Sequence, residues 1–147
     1  MPRPNLQFLL VEPIAKTSFP PLGLMKISPM LKRKFKKCTV FSQVGQAIPR
    51  GLTKPKEIFI TSLFTWDLAA VIKSVHFYRE KFPRAKIHVG GIAASLLPEY
   101  IVKVAGIQPH IGLLGEAEAY PPDYSLSGLY RLDNPCWAFD GTITCAT

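Results

Sequence analysis

Glu57-Ile-Phe-Ile-Thr-Ser-Leu-Phe64, a helical segment over 67–82, and Lys86-Ile-His-Val-Gly-Gly91 together decide the fold. The first and last of these segments are short, apolar and rich in β-branched and aromatic residues, which is typical of buried strands. In the middle segment, apolar residues recur at helical spacing, namely Leu68, Val71, Ile72, Val75, Tyr78 and Phe82. The order predicts a strand–helix–strand unit whose two parallel strands end at the same edge of a sheet.

The rest of the chain continues this alternation on both sides of the unit. Pro20-Pro21 is expected to open a helix, and Pro29 to kink or split it. A further helix is predicted over 96–105, and further strands over 6–11, 38–42 and 109–114. The pattern predicts an α/β, flavodoxin-like (Rossmann-like) three-layer fold. Its five-stranded parallel sheet would have the order 2-1-3-4-5.

Composition predicts one folded domain followed by a tail. The 147 residues are 48% hydrophobic and 19% charged, which is typical of a globular chain. Residues 1–120 are predicted to form the α/β domain, and 121–147, where periodicity is lost, an extended tail or linker. No apolar run approaches the roughly 18 residues of a membrane span. The N-terminal apolar run is too short for a signal peptide, so a cytoplasmic protein is expected.

The net charge of +8 comes in large part from one cluster, Lys32-Arg-Lys-Phe-Lys-Lys37. This cluster could bind phosphate or nucleic acid, but the solvated last turn of a helix is the favoured interpretation, since cations stabilise helix C-termini. Cys38, Cys136 and Cys145 are odd in number and lack C-x-x-C spacing. Neither a disulfide framework nor a complete zinc or iron–sulfur site is therefore predicted.

Several catalytic classes find little support in the residues. The chain has no G-x-G-x-x-G after its first predicted strand and no G-x-x-x-x-G-K-[ST]. Flavin mononucleotide is weakly supported, because the only hydroxyl pair after that strand is Thr17-Ser18. Cys38 has no evident histidine partner for nucleophilic catalysis. Glu116 and Glu118 permit acid–base work, although a hydrogen bond to a ligand or a helix cap is favoured.

The three histidines favour structural roles. His76 is predicted on the outer face of a helix. His88 and His110 fall within predicted strands rather than at their exit ends, where functional side chains are expected.

Small and polar residues follow the predicted strands at their carboxyl ends, the edge where open α/β sheets bind ligands. Ser62 follows the third strand, and Gly90-Gly91 follow the fourth. A serine hydroxyl can hydrogen-bond a polar ring, and two glycines let a flat group lie against bare backbone. The sequence therefore predicts a ligand slot between these strands.

Ser62-Leu-Phe64 with Gly90-Gly91 resembles the S-x-L…G-G half of the signature of cobalamin-binding domains, with Phe64 in place of leucine. The other half, D-x-H-x-x-G, does not occur, since 12–23 contains no histidine. The chain resembles instead the N-terminal domain of cobalamin-dependent radical S-adenosylmethionine enzymes over residues 6–130. The segments that carry this resemblance are Phe-Pro-Pro-Leu-Gly-Leu (19–24), Val-Gly-Gly-Ile (89–92), Gly-Glu-Ala-Glu (115–118) and Pro-Asp-Tyr-Ser (122–125).

The resemblance implies that the chain binds cobalamin at the carboxyl edge of the sheet, without a cobalt-ligating histidine motif. S-adenosylmethionine and a [4Fe–4S] cluster would belong to a further domain, in cis or in trans, that performs methyl transfer or related radical chemistry. That domain would begin with C-x-x-x-C-x-x-C. Cys145 stands near the first of its positions or is an unrelated tail cysteine. The chain is thus expected to be a truncated, non-catalytic module.

The resemblance also implies a set of cofactor-binding residues, with no catalytic residue and no metal ligand among them. They are Thr17, Ser18, Ser62, Leu63, Phe64, Thr65, Gly90, Gly91, Ile92, Gly115, Glu116 and Glu118. A second interpretation comes from a different class of protein. It is a cofactor-free α/β module that binds a nucleic acid or a protein partner through its basic face.

Overall fold

The computed structural model of the protein describes residues 5–13, 21–123 and 126. A 3₁₀ turn, Thr65–Asp67, precedes the second helix. The strands and helices formed in this part of the chain are β1 (Leu6–Glu12), α1 (Leu22–Lys34), β2 (Cys38–Val44), β3 (Pro55–Thr61), α2 (Leu68–Lys81), β4 (Lys86–Gly90), α3 (Ile92–Leu96), α4 (Pro98–Ala105) and α5 (Gly115–Glu118).

The strands form a parallel sheet in the order β2-β1-β3-β4. The predicted α/β class and the order of the first four strands are confirmed. The central strand β1 is buried on both faces, which explains its unbroken apolar run. Leu9 and Val11 pack on the side of α2 and α4, whereas Phe8 packs with Met30 and Leu31 of α1.

The predicted fifth strand over 109–114 is wrong, because these residues form no strand. The segment begins as a strand would, since the His110 N–H donates to the Val89 carbonyl over 2.8 Å. The Gly112 N–H, however, donates to the Ser95 hydroxyl, and Gly112 has a φ of +80°, outside the β region. The Gly112 N–H is therefore not available for a further backbone hydrogen bond to β4. In the part of the chain that the structure describes, the sheet therefore ends at β4.

Helix α1 continues through Pro29 and is not split as expected. Proline has no N–H, so the Met25 carbonyl one turn earlier loses its intrahelical donor. The Asp123 N–H donates to this carbonyl over 3.0 Å. The Asp123 carboxylate also accepts from the Ser28 hydroxyl at 2.6 Å and from the Lys32 ammonium at 2.8 Å. The proline thus creates the point where residue 123 docks onto α1.

The predicted helix over 96–105 is two helices, because Leu97 separates α3 from α4. Leu97 precedes a proline, which disfavours helical backbone at that residue, and its φ of −127° and ψ of 53° lie outside the helical region. Helix α2 agrees with its prediction to within one residue at each end. On its buried face, the Tyr78 hydroxyl lies 2.7 Å from the Ala47 carbonyl oxygen. This contact ties the irregular segment after β2 to the core.

We expect Tyr78→Phe to lower the free energy of unfolding by about 1–2 kcal/mol, because the Ala47 carbonyl loses its donor. Burial raises the pKa of the Tyr78 hydroxyl, and the Ala47 N–H, which donates to the hydroxyl oxygen at 3.4 Å, opposes this. The folded state therefore favours the protonated form. The stability that the Tyr78 hydroxyl contributes is complete below its unfolded-state pKa of about 10. It is lost as pH rises through its folded-state pKa.

Denaturant unfolding between neutral pH and about pH 11 checks both expectations. Wild type should lose more stability above about pH 10 than Tyr78→Phe does. Tyr100→Phe removes a hydroxyl from a side chain that is 44% exposed and serves as the matched control. If the free energy of unfolding falls equally with rising alkaline pH in wild type and Tyr78→Phe, this account of the buried hydroxyl is wrong.

Candidate functional site

An apolar cleft of about 640 Å³ lies between α1 and the β3–β4 half of the sheet. Its back wall is the α1-facing side of β3 and β4. Leu24, Ile27 and Leu31 form a side wall on α1, and residues 112–114 and 116–118 close the opposite side. Helix α1 packs mainly against β2, β3 and α5, so it leaves the same face of β4 open. The incomplete cover of the sheet produces the cleft.

The mouth of the cleft lies at the carboxyl edge of the sheet and has an apolar rim. Ile92, Leu96 and Leu113 are 63%, 65% and 79% exposed, and all three line the cleft. Exposed apolar side chains that cluster at one opening mark a place where a ligand or another surface binds. The site is therefore suited to a ligand with a large apolar face.

Ser62 connects the ends of β3 and β4 to the start of α3. Its N–H donates to the Gly90 carbonyl at 2.8 Å, and its hydroxyl donates to the same oxygen at 2.9 Å. Its carbonyl accepts from the Ala93 N–H at 3.1 Å, and its hydroxyl oxygen accepts from the Ala94 N–H at 2.9 Å. Ser62 thus supplies α3 with the N-terminal cap that Gly91, which has no side chain, cannot provide.

The two adjacent glycines serve different purposes. Gly91 has a φ of +109°, and a Cβ there would overlap the Ser62 carbonyl oxygen and lie 2.9 Å from the Ser62 nitrogen. Only glycine fits this position, because the backbone of Ser62 fills the space. A Cβ at Gly90 would meet only the His110 Cβ, at the ordinary distance of 3.8 Å. Gly90 is therefore not required by the fold, and its missing side chain widens the cleft.

The structure brings together about half of the predicted cofactor-binding residues. Those that line the cleft are Leu63, Gly90, Gly91, Ile92, Glu116 and Glu118. Glu118 also pairs with Lys26 at 2.6 Å. Gly115 begins α5 beside the cleft without lining it. Thr17 and Ser18 lie outside the described residues.

Three predicted residues on the β3–α2 connection lie away from the cleft wall. Ser62 is 1% exposed beneath the Gly90-Gly91 turn, so a direct contact with a ligand stays a prediction. Phe64 stacks on Trp66 with ring centroids 4.6 Å apart and planes 7° apart. Thr65 is exposed at the start of the 3₁₀ turn. Phe64 and Thr65 do not line the described cleft, and their contact with a ligand also stays a prediction.

The sequence interpretation missed the inner wall of the cleft. Glu57, Phe59 and His88 line it, below the predicted slot. The alternation of β3 does place Glu57, Phe59 and Thr61 on one face. Nothing in the local pattern shows that α1 leaves part of this face uncovered. The alternation alone therefore does not reveal that these residues line a cleft.

The basic cluster occupies the position that the helix-end interpretation predicts. Lys32, Arg33 and Lys34 form the last turn of α1, and Lys36-Lys37 follow before β2. Burial raises the pKa of the Cys38 thiol, and the Lys32 ammonium opposes this only in part. A raised pKa lowers the thiolate fraction and makes Cys38 a poor nucleophile.

The described ranges contain neither a candidate metal cluster nor a candidate membrane-spanning helix. Residues 5–13, 21–123 and 126 contain no group of three or more His, Cys, Asp or Glu side chains placed to hold a metal ion. None of the helices in these ranges has the length and apolar character needed to cross a bilayer.

Solved structures with a comparable fold include a cobalamin-binding protein. This protein comes from Desulfitobacterium hafniense DCB-2, and its crystal structure matches with a TM-score of 0.54 and 14% sequence identity. The match covers 78% of this chain and 55% of the other, so this chain spans about half the length of its neighbour. At this identity, the likeness shows a shared fold. No family model and no curated protein matches the chain.

We expect alanine at the two glycines to separate their roles. Gly91→Ala should lower the free energy of unfolding by about 3 kcal/mol or more, because the new Cβ overlaps the Ser62 backbone at a positive φ. Gly90→Ala should change stability by less than about 0.5 kcal/mol. Chemical denaturation followed by circular dichroism measures both. Equal losses at the two positions would contradict the assignment of Gly90 to the cleft.

Ser62→Ala tests the capping role of the serine. The substitution removes the donor to Gly90 and the acceptor for Ala94, so stability should fall by about 1–3 kcal/mol. Amide exchange of Ala94 should accelerate as its N–H loses this partner. Ser95→Ala, in the same helix, is the matched comparison and should leave the exchange of Ala94 close to that of wild type. An unchanged Ala94 exchange rate in Ser62→Ala would contradict the cap.

Proposed function

We propose that the chain is a cobalamin-binding module. The tail of the cofactor enters the cleft past Gly90, and the corrin ring lies over the apolar rim at the carboxyl edge of the sheet. The fold shared with a cobalamin-binding protein supports this proposal, as does the resemblance of Ser62-Leu63-Phe64 and Gly90-Gly91 to a cobalamin signature.

The observation that carries the proposal is the cleft beside Gly90. Gly90 has room for a Cβ, and the fold does not explain why none is present. A flat ligand that passes along β4 does explain it, because any side chain at Gly90 would project into its path. The cleft volume of about 640 Å³ lies within the range of about 300–1,000 Å³ that is typical of small-molecule sites.

Residues of three segments would hold the cofactor. Gly90 and Leu63 would border the tail, and the side chains of α1 would exclude water from it. Ile92, Leu96 and Leu113 would support the corrin ring. When bound, cobalamin supplies a cobalt centre that can carry a methyl group or assist radical chemistry. The chain itself binds and orients the cofactor.

The finer features of the proposal follow from the sequence resemblance. The segment 12–23 contains no histidine, so the module would bind cobalamin without a cobalt-ligating histidine from the loop after β1. A radical S-adenosylmethionine domain, in cis or in trans, would provide the [4Fe–4S] cluster and the S-adenosylmethionine. The resemblance of 115–118 and 122–125 to that group of enzymes supports this partner.

Retention of hydroxocobalamin tests the proposal. Purified protein is mixed with the cofactor and desalted, and its visible spectrum is recorded. We expect corrin absorbance to elute with the protein at a molar ratio near about 1, since one cleft binds one ligand. Absence of corrin absorbance would overturn the proposal. RNA binding that falls steeply with salt would then favour the basic-face alternative.

A second arm of the same experiment locates the ligand. Gly90→Val places an isopropyl group in the cleft and should weaken cobalamin binding by at least about tenfold, or ~1.4 kcal/mol. Ala69→Val on α2 introduces valine at an exposed position away from the cleft and should leave the affinity unchanged. Affinity that survives Gly90→Val in a folded protein would exclude the slot beside Gly90.

A further inference from the structure

The inner wall of the cleft carries a polar pair that the slot beside Gly90 does not explain. Side chains alternate along a strand, so Glu57, Phe59 and Thr61 share one face of β3. His88 and Gly90 share the same face of β4, because Phe59 pairs with His88 and Thr61 with Gly90. All five residues line the cleft. A ligand that passes Gly90 therefore meets His88 next.

Glu57 and Phe59 hold the His88 ring in place. Its Nε2 lies 3.0 Å from the Glu57 carboxylate, and the ring stacks on Phe59 with centroids 4.8 Å apart and planes 15° apart. An ionised carboxylate can only accept, so Nε2 carries the proton of this hydrogen bond. Nδ1 makes no hydrogen bond within the described residues. With the imidazole orientation fixed, one ring nitrogen and one ring edge remain for a ligand.

The distance between Gly90 and His88 along β4 matches the length of a planar base. Gly90 and His88 are two residues apart on one strand, a separation of about 6.6 Å. This is roughly the length of a bicyclic aromatic base. The side chains of His88 and Glu57 are 32% and 23% exposed, so they are partly buried and still reach the cleft. A base beside Gly90 would have its far end at His88.

We propose that His88, positioned by Glu57, recognises the planar nitrogenous base at the end of the cofactor tail. This inference rests on the proposed function and adds to it a specificity determinant. His88 contacts the base through its free ring nitrogen and ring edge, and Glu57 acts through His88. The cleft then discriminates corrinoids by their lower base rather than by their corrin ring.

Paired affinities for cobalamin and cobinamide, which lacks the nucleotide tail, test this inference. His88→Ala should weaken cobalamin binding by at least about tenfold and leave cobinamide binding unchanged, since a single well-made contact is worth ~1.4 kcal/mol. Glu57→Gln keeps the size of the side chain but removes its charge, and it should weaken cobalamin binding less, in the same direction. His76→Ala, on the exposed face of α2, is the matched control and should change neither affinity.

The outcomes separate this inference from the proposed function. Cobinamide binding reports whether each variant keeps its fold and its corrin surface. If wild type retains cobalamin and His88→Ala binds it with the same affinity, the proposed role of His88 is overturned. Equal losses for cobalamin and cobinamide in His88→Ala would also overturn it. Wild type that retains neither corrinoid would overturn the proposed function, and this inference with it.

Discussion

The site depends on the close contact between the backbones of Ser62 and Gly91. The contact joins the carboxyl end of β3 to the turn after β4, and its hydrogen bonds begin α3. It leaves no room for a Cβ at Gly91, so the turn requires glycine there. Ile92 is thereby fixed at the mouth of the cleft and Gly90 along its wall. The geometry of the binding edge follows from a packing constraint rather than from any direct requirement of a ligand.

This constraint gives Ser62 a structural role that does not depend on a ligand. Ser62 is fully buried, and its N–H, carbonyl and hydroxyl all bond to Gly90, Ala93 or Ala94. A serine followed about thirty residues later by two glycines therefore encodes a turn geometry. Within that turn, the first glycine faces the cleft and the second permits the close approach. The sequence showed the pair but could not separate the two roles.

The sequence predicted the elements whose stability is local and failed where a neighbour decided the outcome. The helical stripe of α2 and the buried run of β1 are properties of their own residues, and both were predicted closely. The fifth strand failed because the Ser95 hydroxyl takes the Gly112 N–H that a ladder would need. Helix α1 passes Pro29 while residue 123 supplies the donor for the Met25 carbonyl. Both outcomes depend on contacts between residues distant in sequence.

The cleft wall was hidden from sequence reasoning for a related reason. His88 was interpreted as structural because it lies inside a strand rather than at its exit end. That interpretation assumes that a helix covers both faces of each inner strand. Among the residues that the structure describes, β4 is the edge strand, and α1 covers β2 and β3 instead, so a residue inside β4 still reaches the cleft. An uncovered edge strand thus extends the binding surface from the loops down the face of the sheet. This is why a histidine in mid-strand, held by Glu57, lines the same cleft as Gly90.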